Sequence, residues 1–328
     1  MDYDLLDLFS SEELINELKE RGLRRKRPLN IDKNIVREEY ELLKNIENLG
    51  RKTIYNDPDI SPEERFIEKT WWWITDTDHA GNMGWHNDWI ESHSSGNVGL
   101  NNVKNREAWL KKTLKDIPKN MSILDAGAGE LQYKKFCNHL KYTSQDFAQY
   151  TGEGDGGSLQ TGEWDNSKLD IVSDIADIPV KDSSFDAIMC IEVFEHIPKP
   201  IEAIAEFHRI LKKEGTLIIT APFAALTHFS PYFFYNGFSA YFYEEILAEY
   251  GFEVQEMYFN GNYFEYIAQE LYRLNDIALK YSGKKAQLTE LEKMSLKIIL
   301  GGLAYASKKD TGSHELLCHG INIKAKKK

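Results

Sequence analysis

Short apolar runs and helix-period stripes alternate through the middle of this chain in a fixed order. Ile123 and Leu124 open the series as a strand that runs into a glycine turn, with a helix predicted from about Leu131. Residues 141–146 read as a second short strand ending at Asp146, and 186–191 and 216–220 are nearly continuous apolar runs. Such runs are expected of parallel strands covered on both faces. Between the last two, Ile201, Ile204, Ala205, Phe207 and Leu211 form a stripe that predicts a sheet-packing helix over 201–211. Strand, helix and strand in succession predict an α/β domain built on a parallel sheet. Ligands of such sheets bind beyond the carboxyl ends of the strands, which places Asp125, Asp146, Asp174 and Glu192 along one rim.

The later part of the chain changes the pattern. Residues 252–259 and 316–324 alternate as strands, and antiparallel closure of the sheet is expected there. Helical periodicity fills 263–307, where Phe264, Ile267, Ala268, Leu271, Leu274 and Ile277 make a stripe. Packing on the domain is the favoured use of that stripe, with dimerisation or cover for an amphiphilic substrate as the others. Upstream, residues 5–23 and 35–46 read as helices. The expected organisation is a helical, aromatic-rich extension over 1–110, a core over 111–261, a helical cap over 262–310, and a final strand with a basic tail over 311–328.

The turn after the first strand carries the chemistry. In Asp125-Ala-Gly127-Ala-Gly129, an acid stands at the strand's end and two glycines let backbone approach a ligand where a side chain would intrude. Asp146 lies about twenty residues past the glycines, where a ribose-binding carboxylate is expected. A nicotinamide site would place a third glycine where this chain has Gln132.

These segments resemble the class I S-adenosylmethionine-dependent methyltransferases of the small-molecule and glycan type. Asp170-Ile-Val-Ser-Asp174-Ile175 is similar to their third strand, 185–198 with Glu192, Glu195 and His196 to their fourth-strand motif, and 215–222 to their fifth strand. The resemblance implies a Rossmann-like, doubly wound seven-stranded sheet of order 3-2-1-4-5-7-6. It also implies S-adenosylmethionine held by Asp125, Gly127, Ala128, Gly129, Asp146, Phe147, Asp174, Ile175 and Glu192. The loop 222–239 resembles one in bacterial members where a His, a Pro and aromatics follow the fifth strand. It offers His228 as first candidate base, ahead of His196, and Tyr232 and Tyr235 as substrate contacts. Many relatives continue with Arg-aromatic-Thr, whereas this chain has Tyr235-Asn-Gly-Phe-Ser239, so specificity stays open.

An Asn/Asp-Pro-Pro-aromatic motif is missing after the fourth strand, where Ile191-Glu192-Val-Phe stands, so oxygen is favoured over nitrogen as acceptor. The segment from Asp146 through Gly152, Gly156, Gly157 and Gly162 to Trp164 and Asp170 resembles methyltransferases of surface-polysaccharide and glycolipid synthesis. O-methylation of a sugar or glycan intermediate is therefore expected. Another small-molecule acceptor, or a noncatalytic S-adenosylmethionine-binding module, is the alternative.

Composition narrows the rest. Hydrophobic residues at 42% and aromatics at 12% indicate a globular protein, and a formal charge of -12 disfavours nucleic acid as a partner. The acidic amino terminus and the absence of a spanning apolar run suggest a cytoplasmic protein, as do three scattered cysteines without zinc spacing. The basic runs 24–27 and 326–328 read as solvated surface, with peripheral contact to an anionic membrane or acidic glycan as the other use. Trp85 and His86, in an aromatic-rich stretch, are candidate substrate contacts, with packing of the leading helices the equal alternative. His79, His86, Asp88 and His93 follow no ligand spacing, and no metal is expected.

Overall fold

In the computed structural model, residues 97–155, 159–160, 162–288 and 290–328 are described. Trp85, His86 and the predicted helices over 5–23 and 35–46 lie outside them. The chain divides into two units. One unit, Asn97–Tyr272 with Ala306–Lys328, holds a seven-stranded sheet. The other includes Arg273–Tyr305, which is helical over most of its length.

The sheet comprises β1 (Ser122–Ala126), β2 (Lys141–Asp146), β3 (Ile171–Val172), β4 (Phe185–Ile191), β5 (Leu211–Pro222), β6 (Phe252–Asn260) and β7 (Gly320–Lys327). Their order is β3-β2-β1-β4-β5-β7-β6, as the resemblance implies. The first five strands are parallel, and β7 runs antiparallel between β5 and β6. Period-two alternation on the central strands feeds two cores. Leu124, Ile188, Cys190, Leu217 and Ile219 face one core with Ala203, Ile204, Phe207 and Ile210 of helix α2 (Pro200–Ile210) and Tyr243 and Leu247 of α3 (Ala240–Glu249). Ile123, Ala187, Met189 and Ile218 face the other, with Trp109, Leu110 and Leu114 of α1 (Asn102–Lys115). Each fully buried Leu or Ile contributes roughly 1.5–3 kcal/mol, so both layers are needed to hold the central strands. The helical region contains α4 (Tyr263–Ser282) and α5 (Glu290–Lys309).

Three sequence expectations are corrected. No α-helix starts at Leu131; the connection runs through turns and one 3-10 turn, Lys134–Phe136, because Leu131 adopts φ +62° and breaks helical geometry. The buried stripe of α2 is Ala203, Ile204, Phe207 and Ile210, while Ile201 is exposed on the far side. The last strand starts at Gly320, since residues from there pair with both β5 and β6, whereas Leu316 is exposed.

Candidate active site

The carboxyl ends of β1, β2 and β4 meet at a cleft with two adjoining lobes. The first, of about 500 Å³, is lined by Asp146, Phe147, Asp174, Ile175, Tyr150 and Tyr232 among others. The second, of about 640 Å³, is lined by Arg106, Ala128, Gly129, Tyr133, Glu195 and His228 among others. Gly127, Trp164, Glu192, His196 and Phe229 border both.

Between the lobes lies the glycine turn. Gly127 and Ala128 donate their N–H groups to the Gln145 carbonyl at 2.8 and 2.9 Å, which folds the end of β1 against β2. Gly127 has φ +80°, and a Cβ there would lie 2.4 Å from Val193 Cγ2. Gly129 lies beneath the Trp164 ring, 2.8 Å from where a Cβ would stand. Asp146 is 7% exposed; its Oδ2 accepts from Gly129 N–H at 3.0 Å and its Oδ1 from Ala148 N–H at 2.9 Å. Two backbone donors hold the carboxylate at the lobe wall and leave further lone pairs for a ligand. Asp174, on the opposite side, accepts from Ala176 N–H in a tight turn beside buried Ile175.

An aromatic cluster closes this region. Phe147 and Tyr232 meet edge to face at 4.9 Å, Tyr150 stacks on Phe229 at 4.8 Å, and Trp164 abuts Tyr150 at 5.0 Å. Edge-to-face and offset contacts of this kind fix ring orientation as well as bury surface.

The second lobe is charged. Glu192, with φ +56°, accepts from Arg106 Nη1 and Thr220 Oγ1 at 2.8 Å each. Burial opposes the Arg106 charge, but Glu192 together with Tyr133 and Glu195 outweighs it and holds the guanidinium above its ordinary pKa. Glu195 is 1% exposed, and burial together with the Glu192 charge pushes its carboxyl well above the usual range. His196 Nδ1 lies 2.7 Å from the Tyr232 carbonyl, and its ring stands 4.7 Å from that of His228, nearly perpendicular. Burial and His228 pull the His196 pKa down to about 4, with the Tyr232 hydrogen bond opposing. His228 Nδ1 lies 2.8 Å from the Leu226 carbonyl.

Most of the residues singled out from the sequence converge here. Gly127, Asp146, Phe147, Asp174, Ile175, Glu192 and His196 border the first lobe, and Ala128, Gly129 and His228 the second. Tyr232 belongs to the first lobe, beside Phe147. Two residues do not reach the cleft. Asp125 is buried below it, accepting from the Tyr142 hydroxyl at 2.6 Å, and Tyr235 stands behind the lining residue Pro198, donating to its carbonyl at 3.1 Å. Sequence reasoning missed Arg106, which sits on α1 without any local motif, and the site role of Glu195, which was legible only as part of the fourth-strand motif.

Residues 124–219 match the model of a methyltransferase domain family. Over 49 residues the chain is 43% identical to an uncharacterized protein of Methanocaldococcus jannaschii, covering 15% of this chain and 21% of that protein. The chain therefore spans about a fifth of the length of this relative. Among solved structures, phosphoethanolamine N-methyltransferase 2 of Haemonchus contortus, in complex with S-adenosylmethionine, is 16% identical with a TM-score of 0.39. That match covers 68% of this chain and 52% of the other. The YcgJ protein of Bacillus subtilis is 14% identical with a TM-score of 0.37, over 68% of this chain and 96% of that one.

Proposed function

Residues 124–219 form a class I methyltransferase domain, and from that premise we propose that the protein transfers a methyl group from S-adenosylmethionine to a hydroxyl of a sugar or glycan intermediate. The observation that carries the cofactor part is Asp146, held by two backbone donors at the wall of a cavity of about 500 Å³. A volume of that size suits a nucleoside ligand. The residues present fit the cofactor. Asp146 offers acceptor lone pairs to ribose hydroxyls, Ile175 and Phe147 offer apolar contact to a base, and Gly127 lets the turn pack against Val193, where a Cβ would collide.

When bound, S-adenosylmethionine supplies an electrophilic methyl on a positively charged sulfur. The chain's own residues have three tasks around it. Trp164, Tyr150 and Phe229 border the cavities with aromatic faces, which exclude water and attract a cation by roughly 0.5–2 kcal/mol. The cleft walls align donor and acceptor, and such alignment is worth up to about 7–11 kcal/mol of barrier. At the acceptor end, His228 is the first candidate to take the hydroxyl proton and His196 the second. Buried as neutral imidazole, His196 is in the form a base requires.

The sugar assignment is supported by the aromatic lining, which suits the apolar faces of a pyranose, and by the resemblance of the glycine-rich segment before Trp164. Calorimetric titration with S-adenosylmethionine and S-adenosylhomocysteine, on wild type and Asp146→Ala, tests the cofactor. Saturable binding that drops at least tenfold in the variant is expected, the order of magnitude of a lost charged hydrogen bond. A panel of sugar nucleotides and short glycans with labelled donor then tests the acceptor. Product from none of them, with binding intact, would return the assignment to another small molecule or to a noncatalytic module.

A further inference from the structure

We propose that Glu195, His196 and His228 form a binding site for one divalent transition-metal ion in the second lobe. Each offers one donor atom, and all three atoms lie within 4.8 Å of one another. Glu195 Oε1 is 3.6 Å from His196 Nε2 and 3.9 Å from His228 Nε2. Bonds of about 2.1 Å around a tetrahedral ion give donor separations of about 3.4 Å, so small side-chain shifts complete the site.

The imidazoles are already turned for it. Both Nδ1 atoms face backbone carbonyls, those of Tyr232 and Leu226, at 2.7 and 2.8 Å. A carbonyl only accepts, so each Nδ1 carries the proton and each Nε2 offers its lone pair to the cluster. Orientation of a ligand imidazole through its other nitrogen is the way protein metal sites fix the tautomer.

An ion also resolves a defect in the buried polar network. Glu195 is 1% exposed and its Oε2 has no hydrogen-bond partner, and His196 Nε2 is buried without one as well. At 3.6 Å the contact between Glu195 Oε1 and His196 Nε2 is too long for a hydrogen bond, so Nε2 has no donor. Leaving such groups unsatisfied costs about 1–3 kcal/mol each, whereas a cation on Oε1 and Nε2 satisfies the imidazole, and Oε2 as well when the carboxylate binds through both oxygens. Two imidazoles and one carboxylate, with no thiolate, suit Zn²⁺, Mn²⁺, Fe²⁺ or Co²⁺. All three residues line the second lobe. Taken with the methyl-transfer reading, on which this consequence rests, an ion there would position the acceptor hydroxyl and lower its pKa. The two imidazoles then serve as ligands rather than bases.

The test uses the full chain, stripped of metal with EDTA and titrated by calorimetry with Zn²⁺ and with Mn²⁺, with S-adenosylhomocysteine titrated separately. Wild type is expected to bind one ion and to melt higher with it. Glu195→Gln and His228→Ala are expected to lose at least about 100-fold in ion affinity, more than a substitution in a supporting residue costs. Cofactor affinity should stay within about threefold. Absence of saturable ion binding by wild type, or variants that bind as wild type does, would overturn the site. Cofactor binding without ion binding sinks the metal site alone; ion binding without cofactor binding sinks the methyl-donor reading and leaves the metal site standing. Metal-free melting curves show that the variants fold, and Glu195→Gln, which conserves volume, carries the test if His228→Ala does not.

Discussion

The two lobes of the cleft share a wall and are made by different means. The first is largely a backbone construction: a glycine turn clamped to the Gln145 carbonyl, and a carboxylate held by the N–H groups of Gly129 and Ala148. Its form follows once β1 and β2 pair in register. The second is a side-chain construction, in which Arg106 from α1, Glu195 from a 3-10 turn after β4 and His228 from the loop after β5 converge. Backbone geometry is cheap to specify and local. A buried cluster of ionisable groups is expensive, and natural proteins retain one where it has chemistry to perform.

A substitution in the turn should damage the first lobe most. Gly127→Ala places a methyl 2.4 Å from Val193 Cγ2 at φ +80°. Val193 is β-branched and yields little, so left-handed strain and overpacking together cost roughly 2–4 kcal/mol. Thermal melting should fall accordingly, and S-adenosylhomocysteine affinity should drop at least about tenfold while ion binding persists. Loss of both would show that the lobes are one cooperative unit.

Asp125 sharpens the same contrast through pH. Burial pushes its carboxyl up to about 7, against the Tyr142 hydrogen bond and with help from the Asp146 charge. The native state therefore keeps the proton up to about pH 7, while the unfolded chain releases it near pH 4. A raised carboxyl pKa contributes stability that is full below about pH 4 and is lost as pH rises to about 7. Asp125→Asn removes this dependence, so the variant should gain on wild type across pH 4–7, by a few kcal/mol at most. Denaturant melts at several pH values check it. Cofactor affinity should change little, because Asp125 accepts from Tyr142 below the cleft.

The smallest effect is expected at the rim. Tyr235→Phe removes one half-exposed hydrogen bond to the Pro198 carbonyl, worth about 0.5–1 kcal/mol, and turnover should match wild type. A fall in kcat/KM would bring Tyr235 back as a substrate contact and extend the cleft outward.

The strand order came from the family resemblance, while the parallel half of the sheet and the turn of the first lobe were legible because each rests on contiguous residues. Ile123 and Leu124 before Gly127, Asp146 at the end of a short strand and the apolar runs of β4 and β5 are local signals. Local signals misled at two places. The helix expected at Leu131 gave way to a left-handed turn, and Leu316 was read as strand although pairing to β5 and β6 begins at Gly320.

By itself the sequence determined the α/β class, the glycine turn and the carboxylate of the first lobe, since hydrophobic period and turn chemistry act between near neighbours. Only the tertiary structure decided that Asp125 is buried below the cleft, that Tyr235 stands behind its lining residue Pro198, and that Arg106, Glu195, His196 and His228 share one lobe. Those outcomes depend on which side chains a folded sheet and its covering loops bring face to face, and on the desolvation that follows. No pattern of near neighbours along the chain encodes either.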